Sequence, residues 1–180
     1  PPPTHPALVI TGPTATGKTK LAIHLARRFG GEIISADSRQ VYRHMDLGTG
    51  KDLDEYGEGT DRVPYHLLDV VDPQEDFHLK KFLELALAAM DGICSRNRLP
   101  VIAGGTPLYV NALIRGYSLP GGEPDTQLRE ELESLAREEL VKRLQAVASP
   151  ELLARTDMTQ EKRIIRAIEI ALSPGVEPIC

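Results

Sequence analysis

Residues 7–31, ALVITGPTATGKTKLAIHLARRFGG, decide the fold. Ala7-Leu8-Val9-Ile10 is a short, uninterrupted apolar run that stops at Thr11-Gly12-Pro13, as a strand buried on both faces of a parallel sheet does before a loop. From Lys18 the spacing changes. Leu21, Ala22, Leu25, Ala26 and Phe29 recur at helical intervals, and Gly30-Gly31 ends them. Between the two stands Gly12-Pro13-Thr14-Ala15-Thr16-Gly17-Lys18-Thr19, which has the form G-x-x-x-x-G-K-[ST]. Glycines let backbone N–H groups turn inward around phosphate oxygens, and the helix N-terminus behind them adds positive potential. Lys18 supplies a point charge to the outer phosphate, and Thr19 offers a hydroxyl that Mg2+ can take.

Outward from this unit the pattern repeats. Glu32-Ile33-Ile34-Ser35-Ala36 reads as a second strand ending at Asp37, and residues 46–66, rich in Gly and acid, read mostly as loop. Apolar positions from Phe77 to Ile93 follow a helical period. Leu99-Pro100-Val101-Ile102-Ala103 is a third strand that ends in Gly104-Gly105-Thr106, and a further helix runs from Leu108 to Ile114. Strand, helix, strand, helix, strand predicts an α/β class fold, a P-loop NTPase-like three-layer parallel sheet over residues 1–118. The character changes at Leu119-Pro120-Gly121-Gly122-Glu123-Pro124. Leu128, Leu132, Leu135, Leu140, Leu144 and Val147 then mark one or two amphipathic helices, Ser149-Pro150 breaks them, and a last helix is expected from Glu161 to Leu172. The expected division is a core at 1–118, a small helical insertion at 119–160, and a helix at 161–180 that returns to the core.

The 180 residues are 41% hydrophobic with a formal charge of −5, a balance that argues against disorder. No stretch approaches the roughly 18 apolar residues of a membrane span, so a soluble, cytoplasmic protein without membrane contact is expected. Cys94 and Cys180 lack CxxC or His spacing, which leaves a zinc site and a disulfide framework unsupported. Charge is uneven. Lys18, Lys20, Arg27, Arg28, Arg39 and Arg43 outnumber Glu32, Asp37 and Asp46 in the first fifty residues, so the phosphate-loop end is basic within an acidic chain.

Ligands of open α/β sheets bind at the carboxyl ends of the strands. Three predicted strands deliver Gly12–Thr19, Asp37-Ser38-Arg39-Gln40-Val41-Tyr42 and Gly104-Gly105-Thr106 to that edge. With G-T-G-K at 48–51, P-Y-H-L-L-D at 64–69, G-G-T-P-L-Y at 104–109, D-T-Q-L-R at 125–129 and K-R-I-I-R-A-I-E at 162–169, the ordered set resembles the tRNA dimethylallyltransferase (isopentenyltransferase) family over nearly the whole chain. The resemblance implies transfer of a dimethylallyl group from dimethylallyl diphosphate to the N6 of an adenosine in the tRNA anticodon loop, with Mg2+ as cofactor.

Under that resemblance Asp37, Thr106 and Lys18 are the catalytic set, with Asp37 as general base. Gly12, Thr14, Ala15, Thr16, Gly17, Lys18 and Thr19 hold the diphosphate, and Thr19 holds the metal. Asp37, Ser38, Arg39, Gln40, Thr106, Arg129, Lys162, Arg163 and Arg166 contact the tRNA or its adenine, Gln40 through its amide. From the residues alone, other readings stay open: Asp37 as a cap on a following helix, Thr106 as a routine cap, and Arg163 and Arg166 as a solvated helix face. The Asp37-Ser38-x-Gln40 pattern and the helical appendage favour tRNA as acceptor over free AMP, ADP or ATP. A P-loop small-molecule kinase and a non-catalytic nucleotide or RNA binder are the alternatives from other classes. The sequence departs from the family at Pro107, at Gly50-Lys51-Asp52 and near Gln160. Family tRNA enzymes continue well beyond the R-x-x-R-A-x-E helix, so a shortened chain, acting as a monomer, is expected.

Overall fold

The computed structural model of the chain describes residues 6–51, 53–117 and 126–173, which form two compact units, 1–117 and 118–180. The 119–124 break, Asp52 and the Pro174-Gly175 stop lie outside the described residues.

In the first unit, β1 (Leu8–Thr11), β2 (Gly31–Ser35), β3 (Tyr65–His66) and β4 (Leu99–Gly104) form one all-parallel sheet in the order β1-β4-β2-β3. The chain moves two places across the sheet from β1 to β2 through α1 (Lys18–Phe29). It steps one place further to β3 and then comes back two places from β3 to β4 through α2 (Leu79–Ser95). Both crossovers must be right-handed, and they run in opposite directions, so α1 and α2 cover opposite faces. Side-chain alternation agrees. Ile33 and Val101 are register partners and bury against Ala22, Ile23 and Ala26 of α1, while Ile34 and Ile102, one residue on, point to the other face. There α2 contacts β2 and β4 and buries Phe82, Ala86, Met90 and Ile93. Burial of each large apolar side chain in these layers stabilises by about 2 kcal/mol. The helix α3 (Pro107–Arg115) packs on α2, where the Phe82 and Tyr109 rings stack with centroids 4.1 Å apart.

The sheet has a tight crossing at its carboxyl edge. A Cβ on Gly104, the last residue of β4, would lie 2.2 Å from the carbonyl oxygen of Ala36 and 2.4 Å from its carbon. Two hydrogen bonds hold the crossing: Ala36 N donates to the Ala103 carbonyl (2.8 Å), and Thr106 N donates to the Ala36 carbonyl (3.2 Å). Only a residue without a side chain permits this approach.

At the opposite end of β2, Glu32 is buried in the sheet and accepts from Arg96 Nε (3.1 Å) and Nη2 (2.8 Å), with His66 Nε2 2.7 Å away. Burial alone would raise this carboxyl. The Arg96 and His66 hydrogen bonds outweigh it and hold the group below its ordinary value of 4.5.

The segment expected mostly as loop at 46–66 contains two 3-10 turns, Leu53–Tyr56 and Gly59–Asp61, and the strand β3. Two residues are too few to show a period of two, and only pairing with β2 makes Tyr65-His66 a strand.

In the second unit, α4 (Thr126–Glu133), α5 (Arg137–Val147), α6 (Pro150–Arg155) and α7 (Glu161–Leu172) surround a core of Leu132, Leu140, Leu144, Ile164, Ile165, Ala167 and Ile168. Within this unit α7 packs on α4 and α5. Ser149-Pro150, expected as a break, starts α6. Ser149 Oγ accepts from Leu152 N (3.3 Å), and Pro150 occupies the first turn, where no N–H is needed.

Gly104→Ala is expected to lower unfolding free energy by about 3 kcal/mol in a urea titration, because the obstruction is backbone and cannot rotate away. Glu32 stabilises fully above pH 4.5, and that contribution is lost as pH falls through its lower folded value. Melting curves from pH 7 down to 3 are therefore expected to fall less steeply for Glu32→Gln than for the wild type.

Candidate active site

The turn after β1 is the phosphate loop. Gly17 caps α1 at φ 78° with no side-chain cap bond, and Ala15 also takes the left-handed conformation at φ 61°. The N–H groups of the first helical turn are thereby directed at the loop's interior. Thr16 Oγ1 donates to the Pro13 carbonyl (2.8 Å), and Lys18 Nζ donates to the same oxygen, folding the ammonium over the loop.

The turn after β2 brings Asp37. Its Oδ1 accepts from Arg39 N (2.9 Å), closing a tight turn over 37–39, and no helix follows, which removes the helix-cap reading. The Asp37 Oδ2 and Lys18 Nζ each lie 4.0 Å from where a Cβ on Gly105 would stand, and Gly12 O lies 3.7 Å from it. The bare backbone of Gly105 therefore faces a space that the Asp37 carboxylate, the Lys18 ammonium and the phosphate loop share. A cavity of about 340 Å³ opens here, its walls including Lys18, Thr19, Asp37, Arg39, Gln40 and Thr49.

Thr106 stands at the N-cap position of α3, yet its side chain makes no cap bond. Its Oγ1 accepts from Ser38 N (3.0 Å) and lies 3.4 Å from Ser38 Oγ, so the hydroxyl ties the turn after β4 to the turn after β2. Gln40 differs from expectation. Its Oε1 accepts from Ser35 Oγ (3.0 Å), and its Nε2 donates to the carbonyls of Thr49 (3.2 Å) and Gly50 (3.1 Å). The amide expected to read an adenine edge is engaged within the protein at both ends and anchors the 45–50 segment to β2.

That segment holds residues the sequence reading passed over. Lys51, whose side chain is fully buried, donates to the Tyr42 carbonyl (2.7 Å), Asp46 Oδ1 (3.0 Å) and Asp69 Oδ1 (2.5 Å). Burial would lower its pKa, but the bonds to Asp69 and Asp46 raise it above the usual lysine value. G-T-G-K at 48–51 and the final Asp of P-Y-H-L-L-D at 69 were the available signals; their partnership is spatial.

The basic residues of the second unit group differently. Arg129 makes two bonds to Glu169, Nε to Oε1 at 2.9 Å and Nη2 to Oε2 at 3.1 Å, and Arg166 Nη1 adds a third at 2.9 Å. Glu169 is 4% exposed. Arg129 and Arg166, expected at tRNA, thus neutralise a buried carboxylate. Arg163 pairs with Asp157 Oδ2 at 3.1 Å, and Lys162 is exposed on α7.

A parallel sheet crossed by helices on both faces, with a G-x-x-x-x-G-K-T turn at its first strand end, defines a P-loop NTPase-like protein. A model described as "IPP transferase" matches residues 40–179, and one described as "Isopentenyl transferase" matches residues 6–70. The chain belongs to the IPP transferase family. Relatives include tRNA dimethylallyltransferase 1 of Geotalea daltonii, 48% identical over 96% of this chain and 57% of its own length. Another is tRNA dimethylallyltransferase 2 of Citrifermentans bemidjiense, 52% identical over 91% of this chain and 52% of its own. Among solved structures, the tRNA isopentenylpyrophosphate transferase of Bacillus halodurans is 41% identical, with a TM-score of 0.60 over 93% of this chain and 56% of its own. A eukaryotic dimethylallyltransferase acting on tRNA is 26% identical, with a TM-score of 0.68 over 91% of this chain and 40% of its own. The chain spans about half the length of the curated relatives it matches.

If Arg129 serves the buried Glu169, Arg129→Ala is expected to reduce stability by about 2 kcal/mol in chemical denaturation, the partly exposed guanidinium being screened by solvent. Arg163→Ala, which removes an exposed pair, is expected to leave the midpoint almost unchanged.

Proposed function

We propose that the chain carries the catalytic core of a tRNA dimethylallyltransferase, moving a dimethylallyl group from dimethylallyl diphosphate to the N6 of an adenosine in the tRNA anticodon loop. The observation that carries this reading is the convergence of Asp37 Oδ2 and Lys18 Nζ on the space that Gly105 faces. A base and an anion-binding cation facing one gap suit a reaction in which one partner loses a proton and the other departs as an anion. Family membership and the names of the relatives point the same way.

In the proposed reaction the N6 lone pair attacks C1 of the donor. The C1–O bond breaks, and its electron pair leaves with diphosphate. Asp37 Oδ2 accepts the N6 proton, while Oδ1, already bonded to Arg39 N, holds the carboxylate in place. Lys18 and the loop amides stabilise the charge that grows on the departing oxygens. Thr106, whose Oγ1 accepts from Ser38 N, ties the turn after β4 to the turn that carries Asp37. Extruding the adenosine from its loop costs a few kcal/mol, an outlay that phosphate contacts by Arg39, Lys162 and Arg163 would offset.

Mg2+ fits the donors present. Thr19 lies at the cavity wall beside Lys18, and no group of three or more His, Cys, Asp or Glu side chains forms a metal cage among the described residues. A hard cation prefers oxygen donors such as the Thr19 hydroxyl and substrate phosphates. Thr19 would hold it, and the ion would neutralise charge on the diphosphate. A cytoplasmic setting is the one a tRNA substrate implies.

The test is transfer of labelled dimethylallyl groups to unmodified tRNA, with AMP, and ATP plus kinase acceptors, as parallel reactions. Label on tRNA alone is expected; label on AMP, or phosphoryl transfer, overturns the reading. Asp37→Ala is expected to reduce transfer by about 1,000-fold with donor binding preserved. Lys18→Met is expected to lose donor binding itself.

A further inference from the structure

We propose that Lys51 is a positioning residue, which fixes the Gly48–Gly50 wall of the cavity and so sets where the acceptor base stands relative to Asp37. The inference rests on the adenosine-acceptor reading above.

An ammonium has three N–H donors, and those of Lys51 all end on different segments. Tyr42 closes the turn that begins at Asp37, Asp46 opens the 45–50 segment, and Asp69 follows β3. One side chain, fully enclosed, therefore ties the 45–50 segment to two stretches, 40–43 and 69–71, that are themselves paired through the Tyr42↔Val71 bridge. Between Asp46 and Lys51, the residues Gly48, Thr49 and Gly50 line the cavity. The Thr49 and Gly50 carbonyls hold the Gln40 amide, and Thr49 Oγ1 donates to the Met45 carbonyl at 2.6 Å. The wall is thus fastened at its far end by Lys51 and along its length by Gln40.

Stability alone is a weak reason for such a group. Burying a lysine with carboxylates removes solvation that the pairing only partly returns, and well-packed apolar side chains often do as well. What an apolar substitute lacks is direction: three bonds at set angles locate a backbone, and hydrophobic contact does not. Asp69 is held at φ 54° and Leu67 at φ 64°, left-handed conformations that non-glycine residues keep only where surrounding bonds demand them. The hydrogen bonds that raise the Lys51 pKa also keep the clamp charged throughout the neutral range.

Lys51→Met keeps the length of the side chain and removes its donors. Lys51→Met/Asp69→Asn also removes a carboxylate that the single change leaves stranded. For the single variant, kcat on tRNA is expected to fall about 30- to 100-fold and acceptor KM to rise several-fold, as for a reacting group displaced by about an ångström. Donor KM should stay within about twofold, since the phosphate loop is built separately. Amide hydrogen exchange at 45–50 is expected to quicken at least about tenfold, with 12–19 unchanged. The double variant should regain the lost melting temperature but not kcat.

Wild-type kcat and acceptor KM in Lys51→Met, or return of kcat together with stability in the double variant, overturns the proposal. If the wild type modifies no RNA, the function reading fails, and exchange still decides the clamp: unaltered exchange at 45–50 overturns it as well.

Discussion

The approach of Gly104 to the Ala36 carbonyl governs the rest of the site. Two parallel strands that leave the sheet side by side would ordinarily separate as their loops diverge. Here the missing side chain lets β4 run against the exit of β2, and two backbone hydrogen bonds hold it there. Asp37 follows Ala36 directly and Gly105 follows Gly104, so the carboxylate and the open space beside it come from one crossing. Thr106, one residue on, reaches Ser38 because both turns start from the same point. The phosphate loop joins through register, since β1 pairs along β4 from Leu8↔Val101 to Thr11↔Gly104. The positions of Lys18 and Asp37 thus follow from strand pairing more than from any contact between them.

The parts of this arrangement written in local spacing were legible in the sequence. Ala7–Ile10 and the helical period after Lys18 marked β1 and α1, and Glu32–Ala36 and Leu99–Ala103 marked β2 and β4 to within a residue or so. The carboxyl-end rule places Asp37, Thr106 and the phosphate loop at one edge from strand order alone. Parts that depend on partners distant in sequence were less legible. β3 exists because β2 offers it hydrogen bonds. α6 was hidden because Ser-Pro is equally a helix start and a helix stop, and only the Ser149 bond to Leu152 N distinguishes them.

Side-chain roles divided along the same line. Asp37 has its carboxylate in a turn of its own making, so its place was readable from its neighbours. Gln40 and Lys51 take their roles from carbonyls and carboxylates that only the folded loops supply. Arg129 and Arg166 look alike in sequence as cations on amphipathic helices. What separates them from Arg163 is the burial of their shared partner, Glu169, against an exposed pair with Asp157. A motif identifies which cations a helix presents, but the dielectric around their partners decides whether they are available to a ligand.

The Arg129–Glu169 contact joins residues 40 apart and connects the first helix of the second unit to its last. It closes a ring of chain in which α5 and α6 are the interior links. Because loop closure grows only logarithmically costly with length, residues added between α5 and α6 would lengthen that ring at little expense, about 0.6 kcal/mol for a doubling. Residues inserted within α4 or α7 would instead shift the arginine or the glutamate off the helical phase that brings them together. A change in chain length is accordingly less costly between the inner helices than within α4 or α7, where the register of a single ion pair is at stake.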